Sequence, residues 1–246
     1  MFPPPPHEVH VWCADLDVPP GTSAHLYATL SVEERKRSAR FRFPRDQRRF
    51  VAAHGVLREL LGRYLQVPPD RIGYVYNACG KPDLGPEWGG RLTFNLSHSA
   101  GLALIAIAAG ANIGVDVEYL RAQSDYADIA QLFFSAAEVD QLSGLPDPLY
   151  ADAFLACWTK KEACLKACGD GLTQPLDGFS VPLTTDPAQP PAELYIASDD
   201  SAPARPWSLY TLLPAPGYIG ALAIEGSGWR LRQWRWEMGQ GCGAVT

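Results

Sequence analysis

The sequence predicts an α+β fold built from two halves that meet near residues 110–113. Helical and then extended hydrophobic patterns occur in the first half, and the same order recurs in the second half. The chain has 246 residues, of which 47% are hydrophobic and 20% charged, which suits one large domain or two domains of about 120 residues. This composition excludes collagen, coiled coils and wholesale disorder. No clear sequence repeat relates the two halves.

The first half begins with two predicted helices. Ser31 and Glu34 form a capping-box pattern, and the helix that they open is expected to stop near residues 43–44, because the residue before a proline avoids the helical conformation. Asp46 is expected to cap the second helix. We interpret His54 as a packed histidine, since it belongs to an apolar stripe with three- and four-residue steps. The stripe comprises Phe50, Ala53, His54, Leu57, Leu60, Leu61, Tyr64 and Leu65.

Short extended runs follow and are separated by turn residues such as Gly80 and Lys81. They cover residues 72–76, 92–96, 102–108 and 113–119. The second half has helical spacing at residues 126–142 and 148–168, then extended runs at residues 179–183, 193–196, 207–212, 218–224 and 229–236. A Gly-Asp-Gly sequence at residues 169–171 is expected to end the last helix.

Charge is unevenly distributed along the chain. Residues 35–49 hold eight basic residues and one acidic residue, so this basic window carries +7 while the whole chain carries −6. A domain with general affinity for nucleic acid is usually basic throughout, so the window favours a local anionic ligand. A solvated helix face is the open alternative. We expect no nucleic-acid partner.

The sequence carries no sign of export or of a membrane partner. The longest apolar stretch, residues 101–113, is shorter than the roughly 20 residues that span a bilayer. The N-terminus lacks the basic and apolar regions of a signal peptide, and we expect its Pro-rich start to be a disordered tail. The six cysteines fit neither a disulfide scaffold nor a zinc site, and we interpret them as reduced thiols in a cytoplasmic protein.

Two acidic residues share the predicted strand at residues 113–119. A period of two puts Asp116 and Glu118 on one face, with Cα atoms about 7 Å apart. Two such carboxylates repel each other unless a cation neutralises them, and oxygen ligands without a nearby histidine or thiolate favour Mg²⁺ or Mn²⁺ over zinc. A solvated sheet face produces the same spacing, so the pair alone leaves both interpretations open.

The predicted helix at residues 148–168 provides a second cluster. Trp158, Glu162 and Lys166 follow one another at four-residue steps and therefore lie on one side. Glu162 is a candidate metal ligand or general base, Lys166 a candidate phosphate contact and Trp158 a cover for the site. The alternative is a surface Glu–Lys pair. We assign to the core the cysteines on the neighbouring stripe, which are Cys157, Cys164 and Cys168.

Residues 94–99 form a third cluster, in which a predicted strand ends in small polar side chains before the apolar run at residues 102–108, and ligand-binding loops are common at such places. His98 is suited either to donate a hydrogen bond to a phosphate or to satisfy a turn. Lys81 lies in a Gly-Lys-Pro turn and becomes a phosphate ligand only if other residues bring it to a site.

The order and spacing of these segments resemble the 4′-phosphopantetheinyl transferases of the surfactin-synthetase-activating (Sfp) type. The matching motifs are Gly80-Lys81-Pro82, Phe94-Asn95-x-Ser97-His98-Ser99, Gly114-Val115-Asp116-x-Glu118 and Trp158-x-x-Lys161-Glu162-x-x-x-Lys166. The resemblance extends from about residue 31 to residue 183. It implies a monomer with a pseudo-twofold pair of similar α/β subdomains. Residues 1–112 would provide contacts to coenzyme A phosphates, and residues 113–246 the metal site and the catalytic helix.

The resemblance also implies the reaction. The 4′-phosphopantetheine arm of coenzyme A, as substrate, would pass to a serine of an apo acyl carrier or peptidyl carrier protein, with release of adenosine 3′,5′-bisphosphate. Asp116, Glu118 and Glu162 would hold Mg²⁺, with Mn²⁺ as the alternative. Glu162 would also accept the serine proton, directly or through a metal-bound water. Lys166 would stabilise the leaving phosphate.

Contacts to coenzyme A are implied in the same way. The residues that would meet it are Arg37, Arg49, Lys81, Ser97, His98 and Lys166. The match is weaker around the basic window, since Glu34, directly before it, occupies a position that is basic in some relatives. The carrier would approach along the helix around residues 133–141, and an acidic carrier would also suit part of the arginine cluster.

Two other classes of function stay open at this point. One is a protein that binds coenzyme A or a nucleotide without transfer activity, which would not require Glu162. The other is a nucleic-acid binder that uses the basic window, which the net charge of −6 disfavours. The sequence does not choose among fatty-acid, polyketide and nonribosomal peptide carriers.

Overall fold

A computed structural model of the chain describes residues 3–88, 90–121, 125–169, 175–196, 205–238 and 243–244. The chain divides into two compact units. The first unit comprises Met1–Tyr76, Pro82–Gly110 and Arg230–Thr246, and the second comprises Asn77–Lys81 and Ala111–Trp229. The change at residue 110 lies where the hydrophobic pattern changes. Two segments differ from the division at residue 112 that the sequence suggested. Residues 230–246 belong to the first unit, and residues 77–81 belong to the second.

Strands and helices follow one another along the described part of the chain. They are β1 (Glu8–Asp15), α1 (Pro20–Thr29), α2 (Val32–Ser38), α3 (Pro44–Leu65), β2 (Tyr74–Tyr76), β3 (Pro82–Leu84), β4 (Thr93–Ser99), β5 (Leu102–Ala108), β6 (Ile113–Tyr119), α4 (Tyr126–Phe133), α5 (Ala136–Ser143), α6 (Asp147–Cys168), β7 (Ala192–Ile196), β8 (Arg205–Leu212), β9 (Tyr218–Glu225), β10 (Arg230–Arg235) and β11 (Gly243–Ala244). None of the helices among these elements has both the length and the apolar character that crossing a membrane requires.

The first unit contains a five-stranded sheet, a small β2–β3 hairpin and helices α1 to α3. The strand order in the sheet is β11-β10-β1-β5-β4, with β1 parallel to β10 and antiparallel to β5. The sequence patterns predict neither β1 nor α1. Both faces of β1 are covered, so Val9 and Val11 on one side and His10 and Trp12 on the other are all buried, and the alternation that marks a half-exposed strand is absent.

The first two predicted helix starts have different outcomes. The capping box is confirmed, because Ser31 Oγ accepts the Glu34 backbone N–H at 3.1 Å and Glu34 Oε2 accepts the Ser31 backbone N–H at 2.8 Å. Helix α2 ends at Ser38, earlier than expected. The expected cap by Asp46 is wrong, since α3 already begins at Pro44, and a proline suits the first helical turn because no intrahelical bond needs its missing N–H there.

Helix α3 packs against the sheet to form the core of the first unit. His54 lies at the edge of the predicted stripe and is half-buried, with its ring centroid 4.1 Å from that of Phe50. Every residue of β5 is buried, and several of its side chains join the same core. The predicted apolar stripe is confirmed as buried at Phe50, Ala53, Leu57, Leu60, Leu61, Tyr64 and Leu65.

A buried ion pair joins α2 to α3. Glu34 is 5% exposed, and its Oε2 accepts a hydrogen bond from Arg58 Nε at 2.6 Å. Arg58 also donates to the backbone carbonyls of Pro69 and Ile72, at 3.0 Å each. Burial raises the pKa of Glu34, but hydrogen bonds from His54 and the α2 N-cap backbone, together with the charge of Arg58, outweigh burial and lower that pKa to about 2.

The second unit contains a four-stranded antiparallel sheet with the order β6-β9-β8-β7, and α6 packs against β6 and β9. The single helix predicted at residues 126–142 is two helices. Helix α4 ends at Phe133, and a second capping box starts α5, in which Ser135 Oγ accepts the Glu138 backbone N–H and Glu138 Oε2 accepts the Ser135 backbone N–H. A serine that satisfies helix N–H groups favours a new helix start over continuation.

Two successive buried lysines of α6 hold the chain that follows it. Lys161 Nζ donates to the carbonyls of Leu176 and Phe179 at 2.6 Å each, and Lys160 Nζ to those of Pro182 and Thr184 at 2.8 and 2.7 Å. Lys161 also forms an ion pair with Glu138 at 2.9 Å. The prediction of a strand at residues 179–183 is wrong, because these carbonyls are bound by ammonium groups and Pro182 has no N–H to offer a ladder.

Gly114 allows α6 to lie directly on β6. A Cβ atom at this position would overlap with the carbonyl oxygen of Ala163 and the amide nitrogen of Ala167. These are backbone atoms of a helix, so they cannot swing aside as the end of a flexible side chain could. Glycine at this position therefore sets the distance between the strand and the helix.

Replacing Glu34 with Gln is expected to lower the free energy of unfolding by about 3 kcal/mol near neutral pH, because Arg58 keeps its charge in a buried site without a carboxylate. The folded pKa of about 2 lies below the ordinary 4.5, so the contribution of Glu34 is present above pH 4.5 and is lost as the pH falls toward 2. Urea unfolding at neutral pH and at about pH 3 should therefore give a difference between wild type and E34Q that shrinks in acid.

The control for this experiment is E33Q, since Glu33 lies next to Glu34 on α2 and is exposed. We expect this variant to change the unfolding free energy by no more than about 0.5 kcal/mol. A loss in E33Q as large as that in E34Q would contradict the assignment, as would a difference that stays constant with pH.

Replacing Gly114 with Ala is expected to lower the free energy of unfolding by about 3 kcal/mol or more, because the helix backbone must move away from the strand to admit a methyl group. Denaturant unfolding measures this loss. The matched control is G21A in α1, where a Cβ would meet nothing within 4 Å and alanine is the better helix former. Equal unfolding free energies for G114A and wild type would disprove the close approach.

Candidate active site

The acidic pair on β6 faces helix α6. Alternation along the strand puts Asp116 and Glu118 on the same face as Gly114, which is the face that α6 covers. Asp116 is 4% exposed and Glu118 is half-buried. The face is therefore not the solvated sheet surface that the spacing alone would also have allowed.

Lys166 of α6 forms an ion pair with Asp116. Its Nζ donates to Asp116 Oδ1 at 2.5 Å, and the side chains are 30% and 5% exposed. Since the carboxylate is largely removed from water, the attraction is less screened than between exposed partners. The pair brings together the strand motif and the helix motif, which lie far apart in the sequence.

Glu162 lies on α6 one turn before Lys166 and is half-buried. Burial raises the pKa of Glu162, and the negative charges of Asp116 and Glu118 raise it further, whereas Lys166 lowers it. The three carboxylates and the ammonium group therefore act on one another electrostatically. A carboxylate with a raised pKa is a stronger base than an ordinary glutamate.

A hard divalent cation fits these residues by donor chemistry and by charge. Asp116, Glu118 and Glu162 offer oxygen ligands only, and the mutual repulsion that raises the Glu162 pKa is what a cation would relieve. Within the described residues, no group of three or more His, Cys, Asp or Glu side chains is arranged to hold a metal ion. The carboxylates would have to converge to bind Mg²⁺.

The structure puts Trp158 in an aromatic cluster of the second unit. Its ring centroid lies 6.0, 6.4 and 6.2 Å from those of Phe133, Phe134 and Phe154. The buried Lys161 ammonium lies beside the same cluster, 5.7 Å from the Phe134 centroid. Trp158 and Lys161 thus have packing partners of their own, and Lys161 serves to fasten α6 to the chain around it.

The cysteines of α6 behave largely as predicted. Cys157 and Cys164 are fully buried, and burial raises the pKa of both thiols, so they are poor nucleophiles and poor metal ligands. Cys168 is half-buried. Among the described residues no cysteine forms a disulfide, and these are Cys13, Cys79, Cys157, Cys164 and Cys168, while Cys242 lies outside them.

Lys81 lies in the β2–β3 turn, which belongs to the second unit. Its Nζ donates to the carbonyls of Ile113 and Ala167 at 3.2 and 3.1 Å. Asn77 Nδ2 in the same turn donates to the carbonyl of Gly169 at 2.5 Å. Gly169 ends α6 as predicted, with a φ of 74°, and the next two residues lie outside the described part of the chain. A cation at a helix C-terminus also suits the helix dipole. The turn fastens the end of α6 to the start of β6.

Ser97 and His98 lie on β4, at the edge of the first unit's sheet. Ser97 is 7% exposed and His98 is exposed, as expected for neighbours on opposite faces. The strand predicted at residues 92–96 is confirmed but extends further than expected, because β4 continues through the polar cluster to Ser99 and pairs with β5 along its whole length. The strand pairing overrides the polar composition.

The basic window lies on α2, α3 and the chain between them. Arg49 of α3 forms two hydrogen bonds with Asp17, from Nε to Oδ1 at 2.8 Å and from Nη2 to Oδ2 at 2.6 Å. The Arg37 guanidinium lies over Phe50, 5.4 Å from the ring centroid. Glu34, which directly precedes this window, is buried against Arg58 and so has a structural role.

Some partners of these residues have no local sequence signal. Asp17 is separated from Arg49 by 32 residues, and Asp116 from Lys166 by 50. Lys160 and Glu138 are buried ions in motifs that suggest surface helices. The Ser-x-x-Glu pattern at residues 135–138 is a local signal for Glu138, because a capping box directs the glutamate back to the start of its helix.

Comparisons with known proteins cover both halves of the chain. A family model described as the 4′-phosphopantetheinyl transferase superfamily matches residues 112–222, and one described as the N-terminal part of 4′-phosphopantetheinyl transferase matches residues 20–110. The chain is 42% identical over 230 residues to the 4′-phosphopantetheinyl transferase HetI of Nostoc sp., covering 93% of this chain and 92% of that protein.

Two further relatives match over shorter spans. A putative 4′-phosphopantetheinyl transferase of Synechocystis sp. is 35% identical over 66% of this chain and 65% of its own length. The 4′-phosphopantetheinyl transferase Sfp of Bacillus subtilis is 33% identical over 64% of this chain and 68% of its own. The near full-length identity to the Nostoc protein and the two family matches agree with the strand and helix motifs at the site. The chain belongs to the 4′-phosphopantetheinyl transferase superfamily.

Proposed function

We infer that this phosphopantetheinyl transferase moves the 4′-phosphopantetheine arm of coenzyme A to a serine hydroxyl of an apo acyl carrier or peptidyl carrier protein. Adenosine 3′,5′-bisphosphate is the second product, and the reaction depends on Mg²⁺, with Mn²⁺ as a substitute. The observation that carries this proposal is the group formed by Asp116, Glu118, Glu162 and Lys166, in which three carboxylates and one ammonium group act on one another across β6 and α6.

The bond changes define what the site has to do. The serine oxygen forms a bond to the β-phosphorus of coenzyme A, and the bond from that phosphorus to the oxygen bridging the two phosphates breaks. The serine proton has to leave, and negative charge develops on the departing phosphate. Bound to Asp116, Glu118 and Glu162, Mg²⁺ would supply positive charge that neutralises the pyrophosphate.

Glu162 is the group proposed to accept the serine proton. Burial, the largest cause, raises its pKa and favours proton acceptance, whereas the repulsion from Asp116 and Glu118 would be relieved when a cation binds. Its position on α6 is held by Lys161, whose ammonium is buried among Glu138 and two carbonyl groups. A catalytic base on a packed helix is held in a more precise orientation than a base on a loop.

Lys166 is proposed to stabilise the leaving phosphate and to donate a proton to it. The ion pair with Asp116 holds the ammonium group next to a carboxylate of the proposed metal site. A cation in this position acts where negative charge develops during the transfer. When Mg²⁺ is bound by Asp116, we expect the ammonium group to turn toward the phosphate instead.

Residues 1–112 are proposed to provide contacts to coenzyme A phosphates, and residues 113–246 the metal site and the catalytic helix. The proposed phosphate ligands are Arg37, Arg49, Lys81, Ser97 and His98. Arginine suits this role because its planar fork binds phosphate oxygens in pairs. The Arg49 guanidinium already makes a two-bond contact of this type with a carboxylate.

The partner is proposed to be an acidic carrier protein that meets a cytoplasmic, monomeric enzyme. Leu132 and Phe133, the second of which belongs to the aromatic cluster, are exposed apolar side chains suited to contact the carrier, and the basic window offers charge complementarity. A mainly electrostatic approach would make carrier recognition sensitive to salt.

Glu162→Gln is expected to reduce the rate of transfer at least about 100-fold, because the variant removes the proton acceptor and one carboxylate of the metal site. The measurement is intact-mass spectrometry of an apo carrier incubated with enzyme, coenzyme A and Mg²⁺. The carrier should gain the mass of the phosphopantetheine arm with wild type and not when metal is omitted.

Glu193→Gln is the matched control, since Glu193 is an exposed carboxylate on β7 of the same unit. This variant should transfer at the wild-type rate. Coenzyme A binding by wild type with no mass gain on several carriers would favour a binding protein without transfer activity. Full activity of Glu162→Gln would remove that residue from the mechanism.

A further inference from the structure

Arg49 is anchored in the fold, while its carboxylate partner is exposed. The side chain of Arg49 is 19% exposed and that of Asp17 is 61% exposed. Two parallel hydrogen bonds, 2.8 and 2.6 Å long, join the Nε and Nη2 edge of the guanidinium to the two carboxylate oxygens. An arginine binds phosphate oxygens with the same forked geometry.

Asp17 is held in the field of several arginines. Hydrogen bonds from Arg49 lower the pKa of Asp17, and the charges of Arg49, Arg45 and Arg48 lower it further, against an opposing effect of burial. Asp17 is therefore an anion near neutral pH. A second anion that approaches Arg49 must displace this carboxylate or be repelled by it.

We propose that Asp17 is an internal competitor for the phosphate that Arg49 binds, and that it moderates the affinity of the site for ligands that carry this phosphate. The inference rests on the proposed function, in which Arg49 contacts a phosphate of coenzyme A, and it takes this phosphate to be the 3′-phosphate. Exposed ion pairs contribute little to stability because water solvates the released carboxylate, so Asp17 can turn into solvent while Arg49 stays in place.

A phosphate monoester prevails in this competition. It carries a charge of about −1.5 to −2 near neutral pH and three acceptor oxygens, against one charge and two oxygens for Asp17. The product adenosine 3′,5′-bisphosphate keeps the 3′-phosphate, so the same competitor weakens product binding and favours its release. A ligand that lacks the 3′-phosphate leaves the Asp17–Arg49 pair intact.

The first unit contains a matched control pair. Asp15, two residues before Asp17, accepts two hydrogen bonds from Arg235 Nη2, at 2.8 and 2.7 Å, and is 63% exposed. Asp15→Asn removes the same charge from nearly the same exposure without touching Arg49. Any general electrostatic gain from a lost negative charge therefore appears in both D15N and D17N.

The experiment measures the dissociation constants of coenzyme A, dephospho-coenzyme A and adenosine 3′,5′-bisphosphate by isothermal titration calorimetry. We expect D17N to bind the two ligands with a 3′-phosphate about 3- to 5-fold more tightly than D15N, with no such gain for dephospho-coenzyme A. Arg49→Gln should erase the preference for coenzyme A over dephospho-coenzyme A.

Three results would overturn the proposal. Weaker binding of coenzyme A by D17N would make Asp17 a positioning residue that orients Arg49. Equal changes in the dissociation constants of D17N and D15N would show that the gain comes from the lost negative charge in general and not from Asp17 at Arg49. An unchanged preference in Arg49→Gln would remove Arg49 from the phosphate site. Binding constants do not require turnover, so failure of the proposed transfer activity, tested by carrier mass, stays distinguishable from each of these results.

Discussion

The direct contact between helix α6 and strand β6 is the constraint on which the candidate site depends. Gly114 admits the helix backbone to the strand, and the next two residues on the same face of β6 are Asp116 and Glu118. On the helix, the turns that touch Gly114 flank Glu162 and Lys166. A side chain at residue 114 would therefore separate the two motifs. The glycine of the strand motif is therefore required for the carboxylates of β6 to lie close to those residues of α6.

In both units, a buried ion pair of the same kind joins a short helix to the long helix that follows it. In each, a Ser-x-x-Glu capping box starts a short helix, and the glutamate that caps it also binds a buried cation of the following long helix. Glu34 holds Arg58 in the first unit, and Glu138 holds Lys161 in the second. A carboxylate that receives both N–H groups and a cation is well satisfied in a buried position. Glu162 directly follows Lys161 in α6, so the ion pair between Glu138 and Lys161 also helps to position the proposed base.

Charge at the site is balanced only in part. Lys166 forms an ion pair with Asp116, yet burial and the charges of Asp116 and Glu118 still raise the pKa of Glu162, as expected for a place suited to a cation. The basic window shows the opposite arrangement, since an acidic side chain, Asp17, neutralises Arg49. In both places the protein supplies an internal counter-ion where the proposed reaction would bring an ion of the same sign.

The sequence by itself determined the local features: the capping box at Ser31, the stripe of α3, the extents of β5 and β6, and the motif residues that mark the family. These depend on short-range periodicity and side-chain type. Only the tertiary structure decided that the Pro-rich start leads into a central strand, that β10 returns to the first unit, and that Asp17 reaches Arg49. Such pairings join residues far apart in the chain, and hydrophobic patterns carry no information about which distant partner satisfies a strand edge or a charge.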